Sequence, residues 1–200
     1  LHSADLKVFT IVIIEQSDRL RNLVDRLLGP NVRPTFHWYN VHEVLEKVCM
    51  IVDLDPSHSI SIVRDYDPSI PDVVGDESQL IQAVLNVVRN AMQALLQDHS
   101  NRPKKITLST RALRQFTIGA KRHRLVCKIS ITDNGPGIPD HIMKTLFYPM
   151  VSGRPDGTGL GLSIAQSVIH QHSGIIECNS VPQHTEFNIL IPIEKLSVTG

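Results

Sequence analysis

The sequence predicts an α+β fold, with a mixed sheet covered by helices on one face and one long helix ahead of it. Three observations carry this expectation. Apolar residues at the start repeat with a heptad period. The rest of the chain mixes segments of helical and of alternating spacing. Those segments do not follow a strict βαβ rhythm, which favours segregated helices over a doubly wound sheet. The 200 residues can bury a core without disulfide or metal support. Ordinary composition, 42% hydrophobic and 20% charged, excludes wholesale disorder. Twenty Lys+Arg balance twenty Asp+Glu, so no charge excess argues for nucleic acid. No apolar run is long enough to span a bilayer and no signal peptide is visible, so a cytoplasmic protein with no membrane attachment is expected. Cys49, Cys127 and Cys178 are odd in number, far apart and set in apolar segments, and read as core thiols of an intracellular protein.

The elements follow in order. Leu6, Ile13, Leu20 and Leu27 form one heptad stripe and Phe9, Gln16 and Leu23 the offset one, with Gly29-Pro30 as a stop. Residues 1–30 are therefore expected as one amphipathic helix needing a partner, either the globular core on which it lies or another helix in a dimer or bundle, and residues 31–200 as a separate domain. Val41 to Leu54 carries helical spacing, and Ser61 to Asp65 alternates like a strand. Asp76 is a candidate N-cap with Gln79 three residues on, a capping-box arrangement, and its helix runs to about Gln97. Lys105–Leu113 and Leu125–Asp133 read as strands joined by a polar loop, Gln115–Arg124. A short helix is expected over Asp140 to Leu146, and a longer one from Leu160 to His172, stopped by Ser173-Gly174. Strands at Ile175–Asn179 and Glu186–Ile193 close the chain.

Three segments carry chemistry. On the helix after Asp76, Asn86 and Asn90 lie one turn apart, with Arg89 beside them. Asn is a modest helix former, so two of them amid Ala83-Val84-Leu85 and Val87-Val88 need a reason. An amide oxygen can ligate Mg²⁺ and an amide nitrogen can donate to phosphate, although a polar face bonded to nearby backbone is the simpler alternative. Asp133-Asn134-Gly135-Pro136-Gly137-Ile138 leaves a strand. A carboxylate there can accept from the exocyclic amine of adenine, and Gly135 and Gly137 let a flat base approach the backbone. Taken alone, the segment reads more simply as a turn with no ligand. Gly157-Thr158-Gly159-Leu160-Gly161-Leu162 opens a helix and offers N–H groups as a phosphate cradle, the alternative being a flexible linker. Ser152-Gly153-Arg154-Pro155-Asp156 before it suits a mobile lid. The pattern is neither a Walker A loop nor a Rossmann fingerprint.

Together these segments resemble the GHKL ATP-binding superfamily, with its Bergerat-type α/β sandwich. Asn86-x-x-x-Asn90-Ala91 is similar to the N box, Asp133-x-Gly135-x-Gly137 to the G1 box, Leu146-Phe147-Tyr148-Pro149 to the F box, and Gly157-Thr158-Gly159-Leu160-Gly161-Leu162 to the G2 box. Their order resembles the catalytic domain of sensor histidine kinases. Ile14–Pro30, Tyr148–Arg154 and His184-Thr185-Glu186-Phe187 are similar to nitrogen-regulation kinases of the NtrB type. The resemblance implies that Asn90, with Asn86, holds Mg²⁺ and phosphates, that Asp133 binds the adenine amine, and that Gly153 to Gly161 wraps the triphosphate. It implies that Arg89, Ile138, Ser152, Arg154 and Leu162 line the nucleotide site, and that Thr185 sits near the base. Gln183 stands where a glycine is common. ATP-hydrolysing members carry a Glu at the position of Asn86 to activate water, and Asn cannot act as a general base. The sequence contains no phosphoacceptor histidine box, as expected of a fragment that starts near the second helix of a dimerisation hairpin. The implied partners are a second copy through that hairpin, an NtrC-like response regulator and a PII-type signal protein, with no nucleic acid and no membrane. A GHKL ATPase switch and a nucleotide-binding regulatory module are the rival readings. Reading Lys121-Arg122-His123-Arg124 as a nucleic-acid patch is weaker than reading it as a solvated loop.

Overall fold

A computed structural model describes residues 34–53, 60–150 and 159–193. The expected heptad helix, and Ser152, Gly153, Arg154, Gly157 and Thr158 of the expected nucleotide loop, lie outside the described residues.

Among the described residues, strands β1 (His37–Tyr39), β2 (Ile60–Asp65), β3 (Val73–Gly75), β4 (Lys104–Ile118), β5 (Lys121–Asp133), β6 (Ile175–Val181) and β7 (His184–Pro192) are interspersed with four helices. These are α1 (Val41–Asp53), α2 (Glu77–Gln97), α3 (Asp140–Met143) and α4 (Gly161–Gln171). Five strands form one mixed sheet in the order β2-β4-β5-β7-β6; only β2 and β4 run parallel. Strands β1 and β3 pair separately, antiparallel. Both are three residues long, too short for alternation to reveal, and the sequence reading missed them.

The core lies between the sheet and the helices. Cross-strand partners share a face, so Leu108, Ile131 and Phe187 form one row and Ile129 and Ile189 the next. Against them α2 lays Leu80, Ala83, Val84, Val87, Val88, Ala91 and Leu95, the three-to-four spacing of a single helical stripe. Each large aliphatic side chain buried there contributes about 1.5–3 kcal/mol, offset by the entropy of ordering the chain. Helices α1 and α4 flank α2. Among the described residues no helix is long and apolar enough to cross a membrane. Cys49 and Cys127 sit in the core as expected, whereas Cys178 is half-buried.

The expected polar loop Gln115–Arg124 is instead strand. Strands β4 and β5 stay in register to Ile118↔Lys121, and Gly119-Ala120 makes a two-residue turn with Gly119 at φ 59°. Lys121-Arg122-His123-Arg124 therefore opens β5. The polar run hid apolar anchors: Ile118 packs with Val126 and Leu190, joined by Leu113, Phe116 and Ile175, in a cluster of its own. Helix α3 ends at Met143 rather than Leu146 and passes into turns.

Asp76 caps α2 as expected: its Oδ1 accepts from Gln79 N–H at 3.1 Å and from the Ser78 hydroxyl at 3.0 Å, while Oδ2 accepts from Thr35 N–H at 2.9 Å. Burial alone pushes the Asp76 carboxyl up, but these hydrogen bonds outweigh it and hold the group below its ordinary value. The stabilisation is thus present at neutral pH and lost as pH falls through that lowered value. The reciprocal half of the capping box does not form. The Asp76 N–H donates to His172 Nε2 at 2.9 Å, across 96 residues, and Gln79 Oε1 has no hydrogen-bond partner. Since His172 Nδ1 lies 2.8 Å from the Val168 carbonyl, it must carry the proton, leaving Nε2 as the acceptor. His172 ends α4 in a Schellman motif: Ser173 N–H donates to His170 O and Gly174 N–H to Ile169 O, both at 2.9 Å. The left-handed residue is Ser173 (φ 57°). Gly174 is needed for proximity, since a Cβ there would lie 2.3 Å from the Leu190 carbonyl.

The link between the two helices leaves no room at Gly75. A Cβ there would lie 2.3 Å from His172 Cδ2 and 2.6 Å from Nε2, and the ring is held at both nitrogens. Gly75→Ala is expected to destabilise the domain by about 1–3 kcal/mol, read from the urea midpoint. An unchanged midpoint would show that the ring moves freely.

Candidate nucleotide site

The described site residues line α2: the start of α4 abuts its middle at Asn86, the glycine loop leaving β5 packs near its end at Ala94 and Leu95, and the β6–β7 turn braces that loop. On α2, Asn86 and Asn90 are half-buried one turn apart, and Arg89 between them is exposed. The start of α4 abuts this face: a Cβ on Gly161 would lie 3.8 Å from Asn86 Cβ and Cγ. Leu160 is the N-cap of α4 and supplies no side-chain cap to it. A helix start without a side-chain cap from its own N-cap residue suits an anion. Gly159 takes φ 65° and Leu160 is buried, while Leu162 is half-buried. The Gly159 carbonyl accepts from Met150 N–H at 3.1 Å, which ties together the two ends flanking residues 151–158.

Asp133 ends β5 and is only 3% exposed. Its Oδ1 accepts from Gly135 N–H at 2.9 Å, and a Cβ on Gly135 would come within 2.7 Å of that oxygen. The glycine therefore keeps space beside the carboxylate. Asn134 splices the loop to β4: its Oδ1 accepts from Lys105 N–H at 2.9 Å and its Nδ2 donates to Pro103 O at 2.8 Å. The backbone at Gly137 (φ 90°) passes so close to Val181 and Pro182 that a Cβ would meet them at 3.1–3.2 Å. Gln183 N–H donates to Gly135 O at 2.8 Å, and Ile138 N–H to Ser180 Oγ at 2.8 Å. The β6–β7 turn thus braces the whole Asp133–Ile138 loop.

Thr185 is buried directly beside Asp133 in the register and opposite Ser180. Gln183, where a glycine is common, adopts the left-handed conformation itself at φ 72°. Phe147 meets Phe187 edge-on with ring centroids 6.5 Å apart. The Cys178 thiol is pushed up to about 12 by burial and by the neighbouring Asp133 carboxylate, so it is neutral beside the site. Sequence reasoning missed Ser180 beside the site and His172 at the far end of α4. The motif pattern is local, and these residues act through partners distant in sequence.

These residues fit a purine nucleotide: a buried acceptor at a strand end, a glycine-cleared space beside it, and the Asn86 amide against the start of α4. Comparison with known proteins agrees. Residues 75–195 match the family described as "Histidine kinase-, DNA gyrase B-, and HSP90-like ATPase". The chain is similar to the sensory histidine kinase/phosphatase NtrB of Klebsiella oxytoca, 53% identical over 95% of this chain and 53% of that protein. It is similar to NtrB of Vibrio alginolyticus, 52% identical over 96% of this chain and 54% of that protein. The chain thus spans about half the length of these curated relatives. Among solved structures, a mycobacterial sensor histidine kinase, MprB, superposes with a TM-score of 0.61 at 27% identity, covering 79% of this chain and 97% of that chain. The chain belongs to the histidine kinase-, DNA gyrase B- and HSP90-like ATPase family.

Proposed function

We propose that this chain contains the ATP-binding catalytic domain of a nitrogen-regulation histidine kinase of the NtrB type, with residues 1–30 a hairpin helix and 31–200 the catalytic domain. The observation that carries the reading is the buried Asp133 carboxylate at the end of β5, held by the glycine loop that clears space beside it. In this reading Asp133 accepts from the adenine amine and Thr185 faces the base. Asn90, with Asn86, holds Mg²⁺ and phosphate oxygens. Arg89 and the N–H groups at the start of α4 meet phosphates, and Ser152–Thr158 complete the wrap. Mg²⁺ would neutralise charge on the β- and γ-phosphates.

The chain's own contribution is positioning and electrostatics. The γ-phosphoryl passes to a histidine and from it to an aspartate of a response regulator. Asn86 supports transfer over hydrolysis, because an amide cannot take a proton from water. The relatives' name, sensory histidine kinase/phosphatase, supports the same class. A second copy joined through the hairpin, an NtrC-like regulator, a PII-type signal protein and a cytoplasmic location belong to this proposal.

Asp133→Asn is expected to weaken ATP and ADP binding about 10- to 150-fold, the loss of a charged hydrogen-bond partner, while far-UV circular dichroism stays unchanged. GTP binds poorly to the unaltered chain, because guanine presents a carbonyl where adenine presents its amine. Equal ATP and GTP affinities in calorimetry would remove Asp133 from this role.

Asn90→Ala is expected to abolish most of the Mg²⁺ dependence of ATP binding and leave adenosine binding nearly intact. A Mg²⁺ titration identical to that of the unaltered chain would move the metal elsewhere.

The activity is tested by supplying an acceptor. An NtrB-type kinase altered at its own adenine-binding aspartate, but retaining its acceptor histidine, is expected to become labelled from γ-labelled Mg·ATP when this chain is added. Steady release of inorganic phosphate with no labelled protein would favour the ATPase rival instead.

A further inference from the structure

We propose that Ser180 is a positioning residue that sets the purine selectivity of the site, by fixing the Thr185 hydroxyl as a donor toward the base. The proposal rests on the nucleotide reading above and deepens it. Asp133, Thr185 and Ser180 form one row across β5, β7 and β6, so their side chains share a face. Ser180 Oγ lies 2.9 Å from Thr185 Oγ1 and accepts from Ile138 N–H at 2.8 Å.

A serine hydroxyl has one proton and two acceptor lone pairs. The Ile138 amide occupies one lone pair and polarises the O–H, which makes it the better donor in a chain of hydrogen bonds. The chain then runs in one direction, from Ile138 N–H to Ser180, and from Ser180 O–H to Thr185. The Thr185 proton is left for a ligand. Were the direction reversed, Thr185 and the Asp133 carboxylate would be two acceptors side by side.

The consequence is a complementary pair at the base edge, an acceptor at Asp133 and a donor at Thr185. Adenine presents the matching amine donor and N1 acceptor. Guanine presents a carbonyl acceptor and an N1–H donor, the inverse pattern. Asp133 alone distinguishes only the first of these two positions, and the hydroxyl relay distinguishes the second. The same serine also holds the Gly135–Ile138 loop, so its two effects must be separated by experiment.

The test measures binding of ATP, purine riboside triphosphate and GTP to the full chain by calorimetry. Purine riboside triphosphate keeps the N1 acceptor and lacks the amine. Ser180→Ala is expected to weaken ATP and purine riboside triphosphate by the same factor, about 3- to 10-fold. GTP binding does not fall, so the ATP:GTP ratio shrinks by that factor. Asp133→Asn, in contrast, weakens ATP and spares purine riboside triphosphate. Ser180→Thr keeps the hydroxyl and restores the ratio. An equal loss for ATP and GTP in Ser180→Ala would reduce Ser180 to a loop brace and overturn the proposal, leaving the nucleotide reading intact. Failure of the unaltered chain to bind any adenine nucleotide would overturn both.

Discussion

The bond from Asp76 N–H to His172 Nε2 governs where the site can be. It joins the first residue before α2 to the last residue after α4. The C-terminal end of α4 is therefore clamped to the N-terminal end of α2. Packing along the α2 stripe then sets the remaining freedom, and the start of α4 arrives against Asn86. Each part of the clamp is over-determined. The imidazole has one possible proton arrangement, the Asp76 carboxylate gathers three donors, and Gly75 leaves the space that the ring fills. A buried N–H without such an acceptor costs about 1–3 kcal/mol, comparable to losing a large core side chain. The clamp thus stabilises the fold and sets the spacing of the amide face from the helix start.

A second constraint acts at the other side of the site. A loop carrying Gly135 and Gly137 has no side chains to hold it, so something else must. The β6–β7 turn does this with backbone and hydroxyl groups, through Gln183 to Gly135 and Ser180 to Ile138. The closeness of Gly137 to Val181 and Pro182 shows how little slack remains. Glycine therefore has two uses in this loop. At Gly135 it clears space beside Asp133, and at Gly137 it permits a positive φ and a close backbone approach. Gln183 meets a similar backbone demand without being glycine, at a conformational cost that its hydrogen bond to Gly135 offsets.

What the sequence made legible follows from the range of the interactions involved. The stripe of α2, its Asp76 cap and the strands β5 and β7 are encoded by neighbours three, four or two residues apart, and all were readable. The far half of the β4–β5 hairpin was not, because exposed Arg114, Arg122 and Arg124 outnumber its apolar anchors locally. Those anchors are satisfied by Val126 and Leu190, the latter on another hairpin. Asn86, Asn90, Asp133 and the glycines of the site were readable because each sits in a compact local pattern. The acceptor for Asp76 N–H was misassigned to Gln79, since the true acceptor lies 96 residues away. Ser180 was invisible for the same reason: it meets Ile138 across 42 residues, and nothing in its own surroundings marks it.

The chemistry of the site, on the proposed reading, turns on restraint as much as on catalysis. A triphosphate held by an amide face and a helix start gains electrostatic stabilisation from groups that cannot themselves activate water. Asn86 offers an oxygen and an N–H₂, and neither can take up a proton at neutral pH. The Cys178 thiol beside Asp133 is no alternative base or nucleophile, because burial and the carboxylate keep it protonated. His172 is engaged at both ring nitrogens and lies at the opposite end of α4. The base-reading end is tied by the β6–β7 turn, whereas the described side chains assigned to the phosphates, Asn86 and Asn90, are amides and not nucleophiles. An arrangement of that kind keeps the phosphoryl group intact until an acceptor arrives from outside the site, which is what a donor domain requires and a hydrolase does not.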